Sequence, residues 1–189
     1  MLKDEDIRKP LKNKLIQQNA GNSYLMIEEM AVCDGLARVD IAVANGKLWG
    51  YEIKSDADSL IRLPLQEPHY SKTFDKMVVV IGHKFTDSIV NYIPDWWGVI
   101  LARETKKKTV VLDNIRTAKQ NPNISAESLL ELLWAEELRS LLISQGQKGL
   151  SNKNRRILRQ IAKDSVSLNV IKQFTLEALK TRENWRESI

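Results

Sequence analysis

Two carboxylates and a lysine stand close together in the segment Arg38-Val-Asp40-Ile-Ala-Val-Ala-Asn45-Gly46-Lys-Leu-Trp-Gly-Tyr-Glu52-Ile-Lys54. Two alternating runs flank Asn45-Gly46, which is a strong hairpin signal. A two-residue turn would set Asp40 against Tyr51 and Val39 against Glu52, mixing charge with apolar bulk on both faces. A three-residue loop, Asn45-Gly46-Lys47, sets Val39 against Ile53, Ile41 against Tyr51 and Val43 against Trp49. That arrangement makes one continuous apolar face and leaves Asp40 opposite Glu52, with Lys54 one pleat further on. A one-residue slip moves every side chain to the wrong side, so the apolar face selects the second register. A bulge at Gly50 is another route to a similar result.

Carboxylates about 5 Å apart across a strand pair repel one another. Such a pair persists when a proton or a cation relieves the repulsion. Oxygen-only ligands favour a hard cation, Mg²⁺ or Mn²⁺. An ammonium at Lys54 could balance the carboxylates, orient a water or steady a phosphate oxygen. Metal, activated water and a cationic stabiliser are the parts needed to hydrolyse a phosphodiester. The plainer reading is a solvated hairpin face with a weak cross-strand ion pair. Against it, the strands that follow are apolar on both faces, so the sheet is covered, and charges within a covered sheet need a reason.

The elements that position these residues follow from the patterning. Residues 4–18 read as an amphipathic helix with Ile7, Leu11, Leu15 and Ile16 on one stripe. Asp4, Glu5 and Asp6 favour its N-terminal end, and Pro10 marks a first turn. Tyr24 to Met30 reads as a strand. After Lys54 a turn over 55–59 leads to a helix whose main part starts at Pro64, with Pro68 in or near the first turn. Lys76 to Ile81, Trp97 to Ala102 and Thr109 to Leu112 read as strands, with a short helix from Phe85 to Tyr92 between the first two. This order predicts an α/β layout around one central mixed sheet flanked by helices, over residues 1–118. From Asn121 the pattern turns helical: Ser125 caps a helix running to about Ser144, and two more follow near 151–163 and 167–182. Residues 119–189 are thus read as a helical C-terminal appendage.

The composition excludes several classes. Of 189 residues, 43% are hydrophobic, a globular proportion, and no apolar run approaches the roughly 18 residues that span a bilayer. The charged N-terminus has no apolar stretch of a signal peptide. Cys33 is the one cysteine, so no internal disulfide forms, and a reducing, cytoplasmic setting without a membrane partner is expected. A small buried thiol is its simplest role. The net charge of +5 is uneven: residues 1–150 balance, and 151–189 carry nine basic against four acidic residues. A basic terminus suits a polyanion, with Arg155, Arg156 and Arg159 as candidate nucleic-acid contacts. The alternatives are a solvated helix surface or a small bundle packed on the core.

Asp40, then Glu52-Ile53-Lys54 on the next strand, then a helix, then an apolar strand, resembles the PD-(D/E)XK nuclease superfamily with its restriction-endonuclease-like fold. Gln66-Glu-Pro-His-Tyr70 is similar to the Gln-X-X-X-Tyr motif of RecB-type members, and small bacterial members such as the MmcB-like DNA-repair proteins look nearest. The resemblance covers about residues 4–112. It implies a Mg²⁺- or Mn²⁺-dependent deoxyribonuclease acting in DNA repair, processing or defence. In that reading Asp40 and Glu52 are metal ligands, Lys54 is the catalytic lysine, and Gln66 and Tyr70 position substrate and site. Glu5, Asp6, Glu28 and Glu29 are candidates for a further acid, Glu29 being carried as a metal ligand. The family's Pro is absent, since Val39 precedes Asp40. The rival reading is a non-catalytic nucleic-acid-binding or regulatory module on the same fold, working alone, as a homodimer or with a protein partner.

Overall fold

The structure is a computed structural model and describes residues 1–182. Helix α1 (Asp4–Asn19) precedes strands β1 (Leu25–Val32), β2 (Ala37–Ala44) and β3 (Leu48–Lys54). Helix α2 (Leu63–Thr73), β4 (Lys76–Ile81), β5 (Gly98–Glu104) and β6 (Val110–Arg116) follow. Helices α3 (Ala126–Leu130), α4 (Ala135–Ser144), α5 (Arg155–Ser165) and α6 (Leu168–Thr181) come last. The six strands lie side by side in chain order. β1, β2 and β3 are antiparallel, β4 and β5 run parallel to β3, and β6 turns back antiparallel. This is the α/β class with a mixed sheet and C-terminal helices that the element order predicts.

The sheet divides two apolar cores. On one face α1 sets Ile7, Leu11 and Leu15 against Ile41, Val43, Tyr51, Ile53 and Val80. On the other, α2 and the C-terminal helices close over Val39, Met77, Val79 and Val99. Leu130, Leu138, Leu158 and Leu179 belong to that same buried cluster, so the appendage shares its core with the sheet. Burying both faces is what the unbroken apolar runs of β4 and β5 require.

The hairpin takes the three-residue loop. Ile41 pairs with Tyr51, Val43 with Trp49 and Ala44 with Leu48. Gly46 supplies the loop's left-handed residue at φ 94°, and the Asn45 N–H donates to the Lys47 carbonyl at 3.1 Å. Gly50 is needed for space rather than for φ: a Cβ there would stand 2.2 Å from the Met77 sulfur.

Some expectations are corrected. Val39 does not continue the apolar face of Ile41; it is buried in the opposite core. The reason lies at Glu29, whose φ is +55° and which is skipped where Glu28 pairs with Ile41 and Met30 with Val39. The period-two alternation therefore breaks at Asp40, opposite this kink. Pro10 sits inside α1 rather than at its start, held by buried Ile7 and Leu11 on either side, and Ile16 is 47% exposed. Pro68 likewise lies inside α2. The short helix expected over 85–92 is instead two separate 3₁₀ turns, His83–Phe85 and Ile89–Asn91. The helix expected over 125–144 is two helices, the second started where the Trp134 N–H donates to the Glu137 carboxylate at 2.7 Å.

Candidate functional site

The break at Asp40 brings the hairpin's charges into contact with helices on both sides of the sheet. Asp40 accepts the Ile53 N–H through Oδ2 at 2.6 Å and Arg8 Nη2 through Oδ1 at 2.9 Å. Arg8 reaches it from α1, and also binds Asp4 one turn back at 2.7 Å and Glu29 at 3.1 Å. Glu52, 3% exposed, accepts Lys54 Nζ through Oε1 at 2.7 Å and lies 2.9 Å from the Tyr70 hydroxyl through Oε2. Gln66 and Tyr70 share a face of α2 despite Pro68 between them: Gln66 Nε2 donates to the Tyr70 oxygen at 3.1 Å. Gln66 Oε1 lies 3.5 Å from Lys54 Nζ. Asp40, Glu52, Lys54, Gln66 and Glu29 line one polar cleft of about 630 Å³. Asp40, Glu52, Lys54, Gln66 and Tyr70, and Glu29 through Arg8, are thus brought together; Arg8, which ties α1 to them, was missed. Its signal was the Asp4–Arg8 spacing of four on a helix.

Burial sets the protonation of this network. Desolvation, reinforced by the Asp40 charge, pushes the Glu52 carboxyl up to about 7, against the opposing pull of Lys54. Desolvation also raises Asp40, opposed by the Ile53 N–H and Arg8. The Tyr70 hydroxyl is held neutral by burial and by the adjacent carboxylate. The geometry agrees with a proton on Glu52. Tyr70 has one hydroxyl hydrogen and two acceptors in reach, Glu52 Oε2 and the Arg38 carbonyl at 2.6 Å. If Glu52 carries a proton and donates to Tyr70, Tyr70 donates to Arg38 and every contact is satisfied.

This donor set does not fit a divalent cation as it is arranged. All four carboxylate oxygens of Asp40 and Glu52 already face a protein hydrogen-bond partner, and Glu29 turns to Arg8. Among the described residues no group of three or more Asp, Glu, His or Cys side chains is placed to hold a metal ion. Glu5 and Asp6 lie in the first turn of α1, where Asp6 accepts the Lys3 N–H at 2.8 Å. Glu28 pairs with Lys12.

The C-terminal arginines mostly serve the fold. Arg159 forms a two-pronged pair with Asp34 of the β1–β2 turn, both contacts at 2.7 Å. Arg155 donates to the carbonyls of Leu133 and Glu131 at the end of α3. Arg156 is exposed. Residues 183–189, part of the basic stretch, lie outside the described residues. Cys33 is buried against Thr73 and Ser128, as its plainer reading had it, and Trp97 is fully buried.

A second cleft, of about 320 Å³, opens between α1 and the sheet near β6. Its floor includes Trp49 and Tyr51, with rings stacked at 6.2 Å, and its walls include Lys14, Gln18, Asn114 and Arg116. No carboxylate lines it. Lys76 Nζ lies 4.9 Å from the Trp49 ring centre. Sequence reading missed this site because its residues come from five segments far apart in the chain.

The fold and its two clefts define a mixed-sheet α/β protein with one self-neutralised polar site and one basic, aromatic site. The family model of bacteriophage P4 protein cII matches residues 1–188, and the chain belongs to that family. Protein cII of Enterobacteria phage P4 is 29% identical over 182 residues, 96% of this chain and 68% of that protein. No solved structure matches. This membership overturns the PD-(D/E)XK and MmcB-like resemblance, and the nuclease and hydrolase reading with it; no nuclease match is found. The motif is short, and here its residues satisfy one another's buried polar groups, which a covered hairpin needs in any case. No helix among the described residues is long and apolar enough to cross a membrane.

Proposed function

We propose that this chain is a non-catalytic nucleic-acid-binding module, with DNA as its partner. The observation that carries this reading is the carboxylate-free cleft whose walls bring Lys14 and Arg116 beside the Trp49–Tyr51 stack. The charges persist although their hydrogen bonds go to the protein: Lys14 to the Leu112 carbonyl at 3.3 Å, Arg116 to Trp97 at 2.7 Å. The nearest acid to Arg116 is the exposed Asp95, at 3.9 Å. Cations interleaved with aromatic rings suit phosphate and base together. The internally paired state of Asp40 and Glu52 supports the non-catalytic part.

The test is binding of labelled oligonucleotides by fluorescence anisotropy across a salt series. The logarithm of the affinity should fall linearly with log salt, and Lys14→Gln should flatten that slope by about 0.7–0.9. Absence of salt-sensitive binding, or a slope indifferent to Lys14 and Arg116 variants, removes the reading.

A further inference from the structure

We infer that the cleft between α1 and the sheet takes an unstacked base of a single strand, not the outside of a duplex. This rests on the nucleic-acid-binding reading and narrows it. The Trp49 ring is half-buried on the sheet floor, under the C-terminal half of α1. A duplex presents phosphates and groove edges, and its bases are stacked within. Only a base turned out of its stack can enter a space of about 320 Å³ and meet an aromatic ring at its floor.

The chemistry around the ring suits that occupant. Leu11, Leu15, Val78 and Ile100 make the base of the cleft apolar, so a planar ring enters without losing polar contacts. The rim carries carboxamides: Gln18 and Asn114 are exposed, and Asn45 spends its Nδ2 on Asn19 while its Oδ1 stays available as an acceptor. Amides offer both donors and acceptors to a base edge. Lys14 and Arg116 lie on opposite sides of the cleft, one on α1 and one at the end of β6, where the flanking phosphates of a strand would run. The Lys76 ammonium beside Trp49 adds a cation next to the stacking surface.

The experiment compares a labelled twelve-nucleotide single strand with the same sequence as a duplex, using the full chain. Wild type should bind the single strand at least tenfold more tightly. Trp49→Leu should lose tenfold or more of single-strand affinity, in the range expected for one stacked base. Because Trp49 also packs in the core, a wild-type measurement stands beside it: a bromouracil-substituted strand is photocrosslinked and the adduct mapped. Adducts in residues 11–19, 45–51 or 114–118 support the site, and adducts confined to segments that do not line the cleft overturn it. Equal affinity for duplex and single strand overturns this inference while nucleic-acid binding stands. Failure of both forms to bind overturns the binding reading itself.

Discussion

The Arg8 guanidinium lies 2.9 Å from an Asp40 carboxylate oxygen and 3.2 Å from the Asp40 carbonyl, so one side chain fastens α1 to β2 at the point where the strand's alternation breaks. Hydrogen bonding to Asp4, with the charges of Asp40 and Glu29, holds the guanidinium firmly protonated. Arg8→Met strands the Asp40 carboxylate beside Glu29. The expected cost is about 1–3 kcal/mol, since both partners are about a fifth exposed. Adding Asp40→Asn should recover part of it, because the amide oxygen still accepts the Ile53 N–H. Urea midpoints for the two single variants and the double variant give the coupling. Purely additive losses would mean that the two residues are not energetically linked.

Tyr70 joins three partners through one hydroxyl: Glu52, Gln66 and the Arg38 carbonyl. Tyr70→Phe keeps the ring against Phe74 and Trp97 but leaves those polar groups short of a partner. A loss of about 1–3 kcal/mol is expected by chemical denaturation. A variant as stable as wild type would show that water replaces the hydroxyl.

Stability should depend on pH through Glu52. Its folded-state carboxyl titrates at about 7, above the ordinary value of 4.5. Between those limits the native state holds the proton more tightly than the unfolded chain. Stability is therefore greatest at the acidic end, falls as pH rises from about 4.5 to 7, and levels off above. The raised Asp40 carboxyl acts in the same direction. The total is on the order of a few kcal/mol. Glu52→Gln mimics the neutral acid toward both Lys54 and Tyr70 and should flatten the profile. Melting curves at pH 5, 6, 7 and 8 check this, and an unaltered slope in the variant would assign the dependence elsewhere.

The Arg159–Asp34 pair clips α5 to the β1–β2 turn. Asp34→Asn should cost about 0.5–1 kcal/mol globally, given the exposure of the carboxylate. Limited proteolysis should then cut faster between α4 and α5. Unchanged cleavage would show that the apolar cluster around Leu158 and Leu179 holds the appendage without help.

Much of the architecture was already legible in the chain. Asn45-Gly46 and the alternating runs set the hairpin register, because only one register gathers Ile41, Val43, Trp49 and Tyr51 on one side. The unbroken apolar run from Met77 to Ile81 announced a strand covered on both faces. Those are local properties, fixed by side-chain period and turn geometry. What the charges do is not local. The same Asp40, Glu52 and Lys54 suit a metal centre when read alone, and become a closed network once Arg8 and Tyr70 arrive from helices on opposite faces of the sheet. The basic cleft is likewise assembled from α1, the hairpin and the end of β6, segments that only the tertiary fold makes neighbours. Burial decides which partner a charge takes, and burial belongs to the whole structure.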